Sequence, residues 1–245
     1  RRYGEDESDR STRRARETSD LVQLYLTVGR MYSSRLGRAD YALSCYARAL
    51  EVDPDNSTAF DLLVEVYRNS QAYTELANVL LTRADRSNNP VLARDYRTQA
   101  AVILAQKLKD EPRARAQLEL VLEQDPTHAR AYETLAGLHD AASDAQGLTA
   151  LIERRVTALE GEAKLEPRLE MARLYEERLS DLERAESHYL AVSEAAPRKL
   201  DAWKGLERIY GQRHNYEGLL SALRAQIELA PTPRQRIGLF ESVGH

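Results

Sequence analysis

The sequence predicts an all-α chain built as a stack of helical hairpins. Residues 28–54, 100–126 and 171–197 align without a gap, 71–72 residues apart. A fixed period of this size marks a stacked repeat and not a single closed core. Apolar residues recur three and four positions apart, as in Leu21, Leu24, Tyr25, Val28 and Tyr32, which is the spacing of one helix face. Breakers fall between these stretches: Asp53-Pro54-Asp55, Ser87-Asn88-Asn89-Pro90, Asp125-Pro126-Thr127 and Ala230-Pro231-Thr232-Pro233.

In chain order, residues 1–19 read as a polar, mobile tail. Residues 1–20 carry six Arg against six Asp or Glu and almost no apolar side chain, so they have little to bury in return for ordering. The solenoid proper starts at residue 20 and divides into units 20–90, 91–161 and 162–232 of two hairpins each. The second hairpins also align among themselves: Phe60, Leu63, Tyr67, Leu76 and Leu80 match Tyr132, Leu135, His139, Leu148 and Ile152, and then Trp203, Leu206, Tyr210, Leu219 and Leu223. Asn89 before Pro90 and Thr232 before Pro233 suit an N-cap followed by the first helical residue. Residues 233–245 start a seventh hairpin in register, with Val243-Gly244 at the place of Val28-Gly29. The register predicts that the natural chain continues.

In the first hairpin these residues resemble the tetratricopeptide repeat family, whose unit is about 34 residues and two antiparallel helices. Tyr25, Val28-Gly29, Tyr32, Ala42, Tyr46, Ala49 and Pro54 carry the resemblance there. The third hairpin keeps Ala101, Ala114, Leu118 and Pro126, and the fifth keeps Ala172, Tyr175, Ala185, Tyr189 and Pro197. The resemblance implies a right-handed superhelical solenoid, a divergent array of bacterial type. Small residues such as Gly29 and Ala42 let helix axes approach closely, and the aromatic residues, Trp203 among them, fill the space beside them. The even hairpins depart from this pattern. They place Leu76, Leu148 and Leu219 where a small residue is wanted, which predicts wider helix spacing.

Chemistry is poorly represented. Cys45 stands alone, so no internal disulfide can form. The five His form no metal motif, and there is no glycine-rich phosphate loop. His139 takes the place of Tyr67 and Tyr210 and reads as a packing residue. The chain is therefore expected to be no enzyme and to need no cofactor, with no small-molecule substrate evident. Net charge is −4 with no basic excess, which disfavours nucleic acid. No stretch approaches the roughly 18 apolar residues of a membrane span.

In the family the first helices of successive hairpins line the concave face. Carried over by register, that face holds Arg30, Glu65, Arg68, Glu133, Arg173, Glu176 and Arg208, with Leu26, Thr98 and Leu169 beside them. The expected function is a protein-interaction scaffold that binds a partner protein or peptide segment there, within a multi-protein assembly. The alternative is a structural subunit that uses the convex side and array ends; an RNA-binding helical repeat is a weaker third. The Lys and Asn of the family's carboxylate clamp are replaced by Leu26 and Arg30, so chaperone-tail binding is not expected.

Overall fold

A computed structural model of the chain describes residues 7–232 and 234–238, with side chains from residue 10 onward. Residues 7–232 form twelve α-helices and no strand: α1 (Glu7–Ser34), α2 (Ala39–Val52), α3 (Ser57–Asn69), α4 (Tyr73–Arg86), α5 (Pro90–Ile103), α6 (Glu111–Gln124), α7 (Ala129–Ala141), α8 (Ala145–Ala158), α9 (Leu165–Glu177), α10 (Leu182–Ala195), α11 (Leu200–Gln212) and α12 (Tyr216–Leu229). α1–α2, α3–α4, α7–α8, α9–α10 and α11–α12 pack as hairpins. The chain divides into two compact units at Gln117 and Leu118, inside α6.

In the first unit, Val22 and Leu26 of α1, Ala42, Tyr46 and Ala49 of α2, and Ala59, Leu63 and Val66 of α3 form one buried cluster. Phe60 and Val64 of α3, Leu76 and Leu80 of α4, and Ala100 of α5 form the next. Each cluster thus joins three successive helices, so no hairpin is closed by itself. In the second unit Leu135, Ile152, Leu169, Ala172, Ala185, Tyr189, Leu206 and Ile209 are buried in the same register.

Each hairpin turn contains one residue with left-handed backbone: Gly37, Gln71, Lys109, Ser143, Ser180 and His214, with φ between 53° and 61°. The even turns are Schellman-type caps: Ala72 N–H donates to Tyr67 O, Asp144 N–H to His139 O and Asn215 N–H to Tyr210 O, each at 2.9 Å. The odd turns are one residue longer. There Arg38 N–H reaches Tyr32 O, Asp110 N–H reaches Leu104 O, and Asp181 N–H reaches Tyr175 O, also at 2.9 Å. The extra residue is absorbed by a widened last turn, seen as a π-helical segment at Leu104–Leu108 and as Leu36 N–H to Met31 O and Leu179 N–H to Leu174 O. Gly37 and Gln71, Lys109 and Ser143, and Ser180 and His214 therefore lie 34 positions apart, whereas the gaps from Gln71 to Lys109 and Ser143 to Ser180 are 38 and 37. The 71–72-residue period is a 34-residue step plus a longer one.

Two expectations are corrected. Residues 7–19, read as part of a tail, extend α1 by several turns. The side chains from Arg10 to Ser19 are exposed except that of Thr18, which is half-buried, but a helix already nucleated by the packed Val22–Leu26 stretch lengthens cheaply. Arg13 Nε also pairs with Glu17 Oε1 one turn on, at 3.0 Å. Residues 1–6 lie outside the described residues. Looser packing is found for α3–α4 and α7–α8 than for α1–α2 and α9–α10. The expected wider spacing fails for α11–α12, which pack closely because the Tyr210 ring lies directly over Gly218. The seventh-hairpin register at Val243-Gly244 falls outside the described residues.

Caps follow the sequence. The Asn89 side chain accepts from Val91 and Leu92 N–H, with Pro90 as first helical residue. Asn56 and His128 cap α3 and α7 after Pro54 and Pro126. Thr232 Oγ1 accepts from Gln235 N–H at 3.4 Å, and residues 234–238 are helical again.

Candidate functional site

The tyrosines of the second helices organise the first-helix face. Tyr46 of α2 and Tyr189 of α10 occupy the same register position and are 1% and 0% exposed. Each ring leans on a glycine of a neighbouring first helix. Tyr46 lies against Gly29 of α1, where a Cβ would meet its Cε1 at 2.4 Å; Tyr189 lies against Gly205 of α11, where a Cβ would meet Cζ at 2.4 Å. The side differs because the register-mate of Gly29 is Ala172, and that of Gly205 is Leu62. The ring goes where there is no side chain.

In the second unit the Tyr189 hydroxyl donates to Glu176 Oε2 at 2.8 Å. Arg208 forks onto both oxygens of the same carboxylate, Nε to Oε1 and Nη2 to Oε2, each at 2.7 Å. Arg208 Nη2 also donates to the Tyr189 hydroxyl at 3.3 Å. The Glu176 side chain is only 7% exposed. Burial pushes its carboxyl up, but the hydrogen bonds from Arg208 and Tyr189 outweigh this and hold it below the usual value. Burial, with Glu176 beside it, raises the Tyr189 phenol far above its ordinary value, so it stays a neutral donor. Arg173 lies 3.6 Å from Asp201. A bidentate pair whose carboxylate is buried ties α9 to α11.

The structure therefore brings Glu176 and Arg208 together and satisfies them. Arg173 is exposed on the same face. Tyr132 Oη to Glu170 at 3.2 Å, Arg178 to Asp140 at 2.7 Å and Lys199 to Glu166 add further links among α7, α9 and α11. Glu133 is exposed on α7 and is joined to none of these groups.

In the first unit Ser33 stands at the position of Glu176 and Glu65 at that of Arg208. Arg30 on α1 and Glu65 on α3, in register with Arg173 and Arg208, both lie near enough to Tyr46 to act on its ionisation, which burial chiefly raises. Arg30, Glu65 and Arg68 are exposed, and none makes an ion pair or side-chain hydrogen bond with a described residue. Their charges are unpaired, whereas Glu176 and Arg208 pair with each other. Leu26, Thr98 and Leu169, placed on this face by register, are 2%, 1% and 0% exposed; Leu26 belongs to the cluster with α2 and α3, so these three are core residues.

The packing residues fall as follows. Gly29, Ala42, Ala101, Ala114, Ala172, Tyr175 and Ala185 are buried. Tyr32 is half-buried and stacks on Tyr41 with centroids 5.1 Å apart. Pro54 and Pro197 are exposed and Pro126 half-buried at their turns. Trp203 is half-buried, and its indole N–H donates to Pro197 O at 2.8 Å. His139 packs at the tyrosine position with Nδ1 2.9 Å from Asp144 Oδ2, under Gly147. Gly205 and Gly218 escaped the sequence reading because their register-mates include Leu62 and Glu75.

Among the described residues no group of three or more His, Cys, Asp or Glu is placed to hold a metal. No described helix is long and apolar enough to cross a membrane. Cys45 is partly buried, and burial raises its thiol.

No family model matches the sequence, and no curated protein matches it. Solved structures do. The C-terminal part of a TPR repeat-containing protein from Cytophaga hutchinsonii aligns with a TM-score of 0.50 and 15% identity, covering 87% of this chain and 78% of that one. A tetratricopeptide repeat protein from Parabacteroides merdae aligns with a TM-score of 0.39 and 14% identity, over 91% and 84%. A thermophilic TPR protein from Thermus thermophilus aligns with a TM-score of 0.34 and 21% identity, over 74% and 94%. The hairpins, their register and the likeness to the first of these give one conclusion: the chain has the fold of a divergent tetratricopeptide-repeat array.

Proposed function

We propose that this chain is a non-enzymatic scaffold that binds a segment of a partner protein on its first-helix face. The observation that carries the reading is the set of unpaired charges Arg30, Glu65 and Arg68 on α1 and α3. Glu65 stands at the register position of Arg208 and Ser33 at that of Glu176, so the internal pair of the second unit has no counterpart on α1 and α3. Exposed groups of both signs, held on helices by packed tyrosines, suit a polypeptide with its own mixed charges better than a uniform polyanion. Rigid helices also hold such groups without ordering cost at the moment of binding.

The test is charge reversal. Proteins cross-linked to the full chain are identified, and the binding of the dominant one is measured for Arg30→Glu and Arg68→Glu. Each reversal is expected to weaken binding by about tenfold, an ordinary effect for a charge at an interface. Equal binding by both variants would move the partner to another face.

A further inference from the structure

The first-helix face is not the only candidate surface. A cleft of about 580 Å³ lies between α10 and α12, with Trp203, Leu206 and Tyr210 of α11 at its base. The repeat shows how it arises. In the first copy the register positions facing one another across this cleft are Leu50 and Val79; in the second they are Leu122 and Leu151; in the third they are Ser193 and Ala222. Ser193 and Ala222 are 3% and 0% exposed. Two facing large-to-small replacements leave room that neighbours do not fill. The first copy's cleft, between Leu50, Phe60, Val79 and Arg83, is about 130 Å³. There Arg83 lies over the Phe60 ring at 5.2 Å, and in the second copy Arg155 lies over Tyr132 at 4.0 Å. In the third copy the equivalent residue is Gln226, which is turned to Glu207 and the Trp203 carbonyl. The third aromatic residue has lost its cation.

The rim supplies the other half of the argument. Glu194 and Glu217 border the cleft. A second hollow continues from Leu190 and Glu194 past Glu183 and Glu186. Arg213, the basic residue there, is held by Glu186. Glu183, Glu194 and Glu217 are exposed and make no ion pair with a described residue. The indole N–H is used by Pro197 O and the Ser193 hydroxyl by Leu190 O. What the site offers is an aromatic face, an apolar wall and carboxylates, which selects a cation with an apolar stem.

We propose that this cleft is a docking site for a basic peptide segment of a partner protein, which inserts an arginine side chain against Trp203. The planar guanidinium stacks on the indole, as Arg155 does on Tyr132, and its methylenes cover Leu190. Glu194 and Glu217 receive the remaining charge. The proposal uses no residue of the first-helix face, so either can fail without the other.

Trp203 is the chain's single tryptophan, so its fluorescence reports the site directly. The full chain is titrated with a capped Arg-Leu-Arg-Leu peptide, with the same peptide carrying neutral citrulline for arginine, and with free arginine amide. The arginine peptide should give a saturable change in emission, and the other two ligands should bind at least about tenfold more weakly. Ser193→Leu with Ala222→Val, which refills the cleft with the first copy's residues, should weaken the peptide by about tenfold or more. Glu194→Gln with Glu217→Gln, both at exposed positions, should weaken it comparably and flatten its salt dependence. The proposal is overturned by the absence of a saturable change with the arginine peptide, or by equal affinity for the citrulline peptide. Equal affinity for arginine amide, or unchanged binding in a double variant with native circular dichroism, overturns it too.

Discussion

Gly205→Ala is expected to destabilise the second unit although alanine is the better helix former. At position 205, inside α11, the new Cβ would stand 2.4–2.5 Å from Cζ, Cε1 and Cε2 of Tyr189. Ordinary carbon contacts lie at about 3.5–4.0 Å, so the ring or the helix must give by about 1 Å. Tyr189 has nowhere to go: it is 0% exposed, and its hydroxyl is held by Glu176 and Arg208. Overpacking costs about 1–3 kcal/mol, and loosening the hydroxyl's hydrogen bonds adds about 0.5–1.5 kcal/mol. Against this, alanine returns about 1 kcal/mol of helix propensity. The net expectation is a loss of about 1–3 kcal/mol. Gly137→Ala is the control, because Gly137 lies inside α7 with nothing within 4 Å of its added Cβ. It should gain about 0.5–1 kcal/mol. Urea melts followed by circular dichroism read both. If Gly205→Ala melts at or above the parent midpoint, the close packing of Tyr189 on α11 is wrong.

Three further outcomes are expected. Lys109→Gly and Ser180→Gly should each raise the melting midpoint by the equivalent of about 0.5–1 kcal/mol, since both residues hold φ above 50° at a steric cost that glycine escapes; lowered midpoints would contradict the turn geometry. Arg208→Ala should cost about 1–3 kcal/mol in the same melts, because it strands a carboxylate that is 7% exposed with the Tyr189 hydroxyl as its remaining partner. His188 stacks on Tyr175 at 5.6 Å, and its pKa is lowered from 6.5 by burial first and Arg168 second, with Glu153 opposing. The fold thus favours the neutral ring, so its contribution is complete above 6.5 and is lost as pH falls through the lower folded value. Thermal melts should show a loss as pH falls below 6.5 that His188→Phe removes; an unchanged pH profile would contradict the assignment.

Much of the fold is written in the sequence because a repeat states the same constraint three times. Ala42, Ala114 and Ala185 each occupy a position where helix axes meet, and all are buried. Pro54, Pro126 and Pro197 mark the same turn. What escaped the pattern is what the pattern does not encode. Five of the six left-handed turn residues are not glycine, so most of the hairpin turns carry no glycine signal. The first turns of α1 lack apolar residues and are held by continuity with a packed segment, which periodicity does not see. Leu26, Thr98 and Leu169 share a helix face with groove residues by register, yet all three are buried. Glu176 and Arg208 were placed on the right helices, but their mutual pairing depends on the distance between α9 and α11, and sequence spacing does not give that distance.

The most direct test of the scaffold reading is hydrogen–deuterium exchange of the full chain with and without its cross-linked partner. The account predicts that binding slows exchange in the exposed turns of α1 and α3 around Arg30, Glu65 and Arg68, and leaves α2 and α4 unchanged. Protection confined to α2 and α4, with none at α1 and α3, would contradict it.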